Sequence, residues 1–431
     1  MKILITGATG FVGKYMIRKL IKLGYNLNIL SRNPDKLKKV YGDINNYYVW
    51  DCLSGHPPKE AYKDVKVIIN LMGEGVAEKR WTKTQKKRLY NTRVIGTKHL
   101  VEGAKKYAEK LSVFIQASAI GYYNQDGNDI ISEETPASDS FLGKLCQDWE
   151  AEASKINQLN EIRTVCIRLG IVLGDGGALS KMLLPFELGI GGKIGSGNQW
   201  MNWIHIEDVS SLFIEAIKNN NYKGVVNGVS PLNVTNNEFT KALGKVLNRP
   251  TIFTVPAFIL KIALGELSQE VLEGNHVKSE RLESLGFKFT YSNIYDALEA
   301  ALNIKYISHL DKKVRCQYLY QFHYLKYNQK KVFSFFSEAA NLERITPPFL
   351  KFRIASQSTP RIGEGTIFNY KLKIRGIPIR WRSLICSWNP INSFVDVQLK
   401  GPYKVWHHTH LFTEYKCGTI SEDEVFFAMP Y

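Results

Sequence analysis

Residues 2–32 read KILITGATGFVGKYMIRKLIKLGYNLNILSR. Residues 2–6 form a largely apolar run, suited to a buried parallel strand. Gly7, Gly10 and Gly13 follow, and then Met16, Ile17, Leu20 and Ile21 recur at helical spacing. Gly24 ends the helix and LNIL opens a second strand. The glycines permit a tight turn and let the backbone approach a pyrophosphate, while the helix N-terminus turns N–H groups and the positive end of its dipole toward the phosphates. A glycine triplet alone is a weak signal. Strand, glycines, helix and strand in this order predict a dinucleotide site.

The end of the second strand separates two dinucleotides. An NAD site usually carries Asp or Glu there for the ribose 2′-hydroxyl. This chain has Ser31 and Arg32, with Lys36 nearby. A guanidinium beside a hydroxyl suits a 2′-phosphate, which Arg meets with charge-assisted, often bidentate bonds. NADP(H) is therefore expected over NAD(H).

Outward from this unit, strands are predicted at 67–71, 113–117 and 164–169, with helices at about 83–108 and 140–158. The alternation implies an α/β Rossmann-like, doubly wound parallel sheet. Ligands of such sheets lie beyond the C-terminal strand ends, where Asp51, Leu71, Met72, Gly73, Ser118 and Arg168 fall. Asp51 is expected near the adenine, and Leu71, Met72 and Gly73 on the adenosine ribose side.

A chain of 431 residues exceeds one ordinary core, so two domains are expected. The formal charge is +17, but Lys and Arg are spread along the chain. The densest cluster, KTQKKRLYNTR at 83–93, reads as a solvated helix face, so no nucleic-acid partner is expected. The six cysteines show no C-x-x-C spacing, which argues for a reducing compartment. MKILITGATG is a strand entering a turn and not a signal peptide. VPAFILKIALG at 255–265 is too short for a membrane span and contains Lys261. A soluble, cytoplasmic protein is the expectation.

GATGFVG at 7–13 and ASAIGYY at 117–123 resemble the extended short-chain dehydrogenase/reductase superfamily. NLMGEGVAEKRW, FLGKLCQDWE, GNQWMNWIHIEDV and LESLGFKF narrow the resemblance to a sugar-nucleotide-epimerase-like, NAD(P)-binding subgroup over roughly residues 1–300. The resemblance implies that Gly7, Thr9, Gly10, Phe11, Val12 and Gly13 bind pyrophosphate and that Ser31 and Arg32 bind the 2′-phosphate. It counts Arg93 and Arg168 with the cofactor-binding residues. It also implies that Ser118 is the active-site hydroxyl and that Lys144 holds the nicotinamide ribose. A substrate lobe at about 175–205 and 225–300 and a homodimer are further implications.

The superfamily's catalytic tyrosine would stand four residues before Lys144, where this chain has Ser140. A phenol near pKa 10 exchanges a carbinol proton when a cation lowers its pKa, and a serine hydroxyl is far less acidic. In one reading another residue replaces it: Tyr122 and Tyr123 follow Ser118 closely, and Glu74, His205 and Asp208 lie near other loops. Tyr122 is the candidate donor, although the resemblance implies a structural tyrosine there. Alternatively, the chemistry needs no acid there, or the domain binds NADP(H) as a non-catalytic sensor or scaffold. In the stretch 195–205, Trp200 and Trp203 offer an apolar wall, Gln199 a polar anchor and His205 a further substrate-side residue. Core packing is an equal reading of the tryptophans, and a structural hydrogen bond is the better one for His205.

Residues 301–315 read as a helix end and linker, and from 316 short alternating stretches begin. NLERITPPFLKFRI, GEGTIFNYKLKIRGIPIRW and FVDVQLKGPYKVWHHTHLF resemble the START-like, helix-grip or polyketide cyclase-like ligand-binding proteins over 316–431. The resemblance implies a curved sheet around an apolar cavity, a hydrophobic ligand, and a long C-terminal helix that is not visible here, as if the domain were truncated. VWHHTHLF places Trp406, His408, His410 and Phe412 on one strand face. Two histidines at i, i+2 suit a metal, but no convergent carboxylate or thiol pair is apparent, so cavity-lining histidines and no metal are expected.

Overall fold

A computed structural model describes residues 1–43, 45–123, 130–158, 162–309, 312–374 and 376–430. The chain divides into two compact units: Met1–Pro34 with Asn45–Leu302, and Asn303–Tyr431 with Asp35–Ile44.

The first unit is built on seven strands: β1 (Lys2–Ile5), β2 (Asn26–Ser31), β3 (Asn46–Val49), β4 (Val65–Asn70), β5 (Val113–Ala119), β6 (Arg163–Leu169) and β7 (Gly224–Gly228). They form one parallel sheet in the order β7-β6-β5-β4-β1-β2-β3. The order reverses between β1 and β4, which opens a crevice beyond their carboxyl ends. The apolar runs of β1, β4 and β5 are almost wholly buried, as a sheet covered on both faces requires. Helix α1 (Phe11–Lys22) follows β1 and buries Met16, Ile17, Leu20 and Ile21 completely. Each such side chain contributes about 1.5–3 kcal/mol. Helices α2 (Gly96–Tyr107), α3 (Phe141–Ser154) and α4 (Ile206–Lys218) complete the surroundings of the crevice.

The second unit contains β8 (Ile304–His309), β9 (Lys312–Leu325), β10 (Arg353–Gln357), β11 (Ile367–Ile374), β12 (Ile377–Asn389), β13 (Ser393–Lys400), β14 (Val405–Tyr415) and β15 (Gly418–Ala428). All pair antiparallel, in the order β8-β9-β15-β14-β13-β12-β11-β10. Helices α5 (Gln329–Phe336) and α6 (Ala339–Ile345) lie between β9 and β10 in sequence. Val332 and Phe333 of α5 form a core with Phe368, Ile385, Phe394 and Phe412 of the sheet. Among the described residues no longer helix belongs to this unit.

The stretch 301–315, expected as a helix end and linker, begins with the end of a helix, but strand β8 and the start of β9 follow in place of a linker. Lys305, Lys312, Lys313 and Arg315 are exposed, while Ile304 and, just beyond the stretch, Cys316 are buried. An edge strand with one buried face carries the same alternation of charge and apolar residues that suggested a solvated connection.

Candidate functional site

Gly7 leaves β1 at φ 67°, a conformation that favours glycine. A Cβ on Gly7 would lie 2.4 Å from the Leu71 carbonyl oxygen, and one on Gly13 would lie 2.2 Å from that of Gly7. The turn therefore passes against the end of β4 with no room for side chains. Gly10 caps α1 and supplies no side-chain acceptor, so no side chain of the cap competes for the first-turn N–H groups. Thr9 and Gly10 are exposed, and Phe11 and Val12 half-buried. The Phe11 ring is packed by the loop at 174–177, where a Cβ on Gly174 would come within 2.6 Å of it. A glycine-lined turn before a side-chain-free helix cap at a sheet crevice fits a pyrophosphate. At the end of β2, Ser31 Oγ accepts from the Asn33 N–H at 3.1 Å, and Arg32 is exposed. Asp51 is exposed and its carboxylate accepts from the Leu53 N–H at 3.0 Å.

A buried polar network that sequence reasoning missed fixes the strand ends. Thr6 Oγ1 donates to Asn70 Oδ1 at 2.6 Å, and Asn70 Nδ2 donates to Thr97 Oγ1 and Gln116 Oε1, both at 2.8 Å. Trp149 Nε1 also donates to Thr97 Oγ1, at 2.9 Å, and the Leu71 N–H donates to Thr6 Oγ1 at 3.1 Å. The network thereby sets the height of Leu71 and Met72 beside the glycine turn. A π-helical turn, Asn91–Ile95, precedes α2 and contains Arg93. The Arg93 guanidinium donates to the Glu74 carbonyl at 2.7 Å and lies over the Trp149 ring at 5.2 Å. A Cβ on Gly73 would sit 2.9 Å from Arg93 Cζ. Arg93 thus props the 73–74 loop from behind, and burial lowers its pKa.

Ser118, at the end of β5, is buried and donates to Glu150 Oε1 at 2.6 Å. Glu150 also takes two bonds from Arg168, Nε at 2.9 Å and Nη2 at 2.8 Å. Arg168 Nη1 donates to the Tyr123 hydroxyl at 2.6 Å, which in turn donates to Asn227 Oδ1 at 2.8 Å. Arg168 is therefore committed to a buried ion pair with Glu150. Burial alone would lower its pKa, but the Glu150 bonds and charge outweigh that and raise it. Burial pushes the Tyr123 phenol up to about 12, against the opposing pull of Arg168. Tyr122 is half-buried, with the Arg168 guanidinium 3.4 Å from its ring centroid. Ser140 is the N-cap of α3 and accepts from the Gly143 N–H at 3.0 Å. Lys144, one turn on, is exposed and ion-paired with Asp139 at 3.3 Å. The structure thus brings Ser118, Tyr122 and Arg168 together. Glu150, which joins Ser118 to Arg168, was not anticipated. Its signal was a carboxylate on the buried face of α3 with Leu142, Cys146, Trp149 and Ala153.

The substrate-side candidates separate. Trp203 and His205 lie on a short strand, Trp203–His205, parallel to Ile171–Leu173. Trp203 is completely buried and belongs to the core. His205 caps α4 by accepting from the Glu207 N–H at 3.2 Å and packs against Tyr291 with ring centroids 4.0 Å apart. Burial pushes the His205 imidazole down to about 4. Gln199 is buried, with its amide donating to the Ile194 and Val271 carbonyls. Trp200 is half-buried and stacks on His276 at 4.0 Å. Glu74 is ion-paired with Arg88 at 2.6 Å, and Asp208 accepts from the N–H groups of Thr290 and Tyr291.

The second unit forms a partly open cavity of about 660 Å³, lined by Phe336, Leu342, Trp388, Phe394, His408, His410 and others. The expectation that no carboxylates converge on the histidines is corrected here. Asp396 of β13 pairs with His408, and Asp423 of β15 pairs with His410, so both carboxylates reach the histidine face of β14. Burial alone would lower the His410 pKa, but Asp396 and Asp423 outweigh it and raise it. Strand register, which no single stretch of sequence contains, creates this cluster.

The crevice, the glycine turn and the side-chain-free α1 cap together define a dinucleotide-binding α/β protein. The chain belongs to the NAD dependent epimerase/dehydratase family, whose profile matches residues 3–227. A second profile, a domain of unknown function (DUF1731), matches residues 255–301. Epimerase family protein SDR39U1 homolog, chloroplastic, from Arabidopsis thaliana is 34% identical over 305 residues, covering 70% of this chain and 87% of that protein. Epimerase family protein YfhF of Bacillus subtilis is 35% identical over 299 residues, covering 69% and 97%. The crystal structure of human SDR39U1 isoform 2 with NADPH superposes with a TM-score of 0.63 at 32% identity, covering 70% of this chain and all of that one. Among the described residues no helix is long and apolar enough to cross a membrane.

Proposed function

We propose that the first unit binds NADP(H) and acts as an oxidoreductase or nucleoside-sugar epimerase-like enzyme on a small molecule. The observation that carries this reading is the Gly7–Gly13 turn before a helix cap with no side-chain acceptor, with Ser31 and Arg32 at the end of β2. The relative solved with NADPH supports the choice of dinucleotide. Turn and helix would hold the pyrophosphate, Arg32 the 2′-phosphate, and Leu71, Met72 and Gly73 the adenosine ribose side. Bound nicotinamide would supply hydride exchange. Lys144 is exposed and free to swing from Asp139 toward a ribose hydroxyl. Tyr122 would be the phenol that passes a proton, a reading supported by Ser140 being spent as a helix cap and Tyr123 being bonded to Arg168 and Asn227. The test is a titration of NADPH and NADH followed by nicotinamide fluorescence. Tight NADPH and weak NADH binding is expected, and binding of neither would refute the reading.

One observation favours a second reading, binding without turnover. The Ser118 hydroxyl is held by Glu150, and no tyrosine precedes Lys144 at the usual spacing. Substrate-dependent oxidation of NADPH that is lost in Tyr122→Phe supports the enzyme. Tight NADPH binding with no turnover across a broad carbonyl and sugar-nucleotide panel supports the sensor. The second unit is proposed to be a START-like module for a hydrophobic ligand, on the strength of its largely apolar cavity. An apolar fluorophore binding one per chain, and displaced by Phe394→Asp, is the expected result. A homodimer is part of the same proposal and is read by sedimentation.

A further inference from the structure

We propose that the second unit holds a divalent transition metal, zinc by preference, on His408 Nδ1, His410 Nε2 and Asp396 Oδ1, with Asp423 as an outer carboxylate that orients both imidazoles. Three neighbouring strands deliver these groups to one face. His408 and His410 are two residues apart on β14 and so point to the same side. Asp396 stands opposite His408 on β13, and Asp423 stands opposite His410 on β15.

The distances divide the four ring nitrogens and two carboxylate oxygens into an inner and an outer set. His408 Nδ1 and His410 Nε2 lie 3.5 and 3.4 Å from the same Asp396 Oδ1. The three donor atoms lie within 4.8 Å of one another. Bonds of 2.0–2.1 Å to a tetrahedral zinc place neighbouring ligand atoms roughly 3.3 Å apart. Two of the three edges therefore already have that length. The other two ring nitrogens face away: His408 Nε2 and His410 Nδ1 lie 3.2 and 2.8 Å from Asp423 Oδ1. At His408 this carboxylate takes the far N–H and leaves the near nitrogen's lone pair for a metal, while at His410 the contact is an ion pair without hydrogen-bond geometry. One carboxylate serving the outer nitrogens and another completing the inner set is the division a metal centre requires.

The four side chains are 12–23% exposed. His408, His410 and Asp423 line the cavity, whose walls include Phe336, Trp388 and Phe394. Three protein ligands leave a fourth position for water or a small anionic oxygen ligand. Two imidazoles and one carboxylate suit zinc, and the same set serves iron(II). This inference rests on the second unit alone and stands or falls apart from the dinucleotide reading.

The probe is cobalt(II), added to the full-length protein after chelator stripping. One equivalent should bind with visible d–d absorption of tetrahedral type, and zinc should displace it. His410→Ala and Asp396→Asn should lose the signal with the circular dichroism unchanged. Asp423→Asn should keep the stoichiometry and weaken affinity about 10- to 100-fold, the usual effect of removing an outer carboxylate. X-ray absorption at the zinc edge of the unaltered protein should show two imidazole nitrogens and oxygen, a readout independent of any variant's folding. Octahedral absorption with iron(II) preferred over zinc would overturn the choice of metal. Failure of the unaltered protein to bind cobalt or zinc at micromolar concentration would overturn the site, leaving an ion-pair network. Equal binding by a folded His408→Ala/His410→Ala variant would overturn it as well.

Discussion

Arg32 stands exposed after the last residue of β2, beside a serine whose hydroxyl is turned into the following bend. A hydrogen bond between charged partners is worth about 1.5–3 kcal/mol, or roughly 10- to 100-fold in affinity. Arg32→Glu should therefore weaken NADPH by at least that factor in the fluorescence titration and leave NADH nearly unchanged. Equal loss for both dinucleotides would move the 2′-phosphate away from Arg32. His205 provides a different test. Its imidazole is pushed from an ordinary 6.5 down to about 4 by burial, so the unfolded chain binds a proton that the folded one refuses. Stability is then fully present above about 6.5 and is lost as pH falls toward 4, by about 3 kcal/mol in total. His205→Asn retains a capping acceptor and should flatten this part of the pH profile of urea unfolding. An unchanged profile would show that His205 is not the group being titrated. Individual residues were legible where backbone geometry demands one type: Gly7 and Gly13 admit no side chain. Arg168 was not legible. Its position at a strand end counted it with the cofactor-binding residues, and only the approach of Glu150 and Tyr123 shows its buried ion pair.

Among elements, α3 carries the clearest consequence. Ser140 occupies the position of the superfamily tyrosine and ends the non-helical backbone as an N-cap, at φ −63° and ψ 165°. Ser140→Ala should cost about 1 kcal/mol, seen as a lower urea midpoint, with NADPH affinity unchanged. Ser140→Tyr should lose the same cap, so installing a phenol there would not by itself restore a proton donor. Strands β4, β5 and β6 were readable as apolar runs to within two residues at each end, because both faces of a covered sheet demand the same side chains. Strand β8 was hidden, because an edge strand buries one face and carries lysine on the other. The His408–Asp396 and His410–Asp423 pairs were hidden for another reason. Each strand shows its own alternation, but the partner opposite depends on register across three strands.

At the scale of the molecule, a ligand that binds only the folded first unit stabilises it by mass action. NADPH at 100 times its dissociation constant should add about 2.7 kcal/mol, which is roughly 100-fold slower hydrogen exchange in amides that open only on global unfolding. Strands β1 and β4, which flank the crevice, are the place to read it by mass spectrometry. NADH at the same concentration should give far less protection. Equal protection by both would contradict the dinucleotide preference even if binding itself is tight. The two family profiles end at residue 301, so the chemistry of the second unit's sheet rests on its own side chains.

The π turn at Asn91–Ile95 has a consequence for how this segment tolerates insertion and deletion. Five residues in a π turn cover roughly the rotation that four cover in an α-helix. Dropping one residue there and closing to α spacing would leave Leu89 on one side, and Thr97, Leu100 and Val101 on the other, facing the core as before. What would be lost is the reach of Arg93 to the Glu74 carbonyl, and with it the prop behind the loop beside the glycine turn. A one-residue gap inside a helix, normally the least tolerated kind, would here be neutral to the fold and felt only at the crevice.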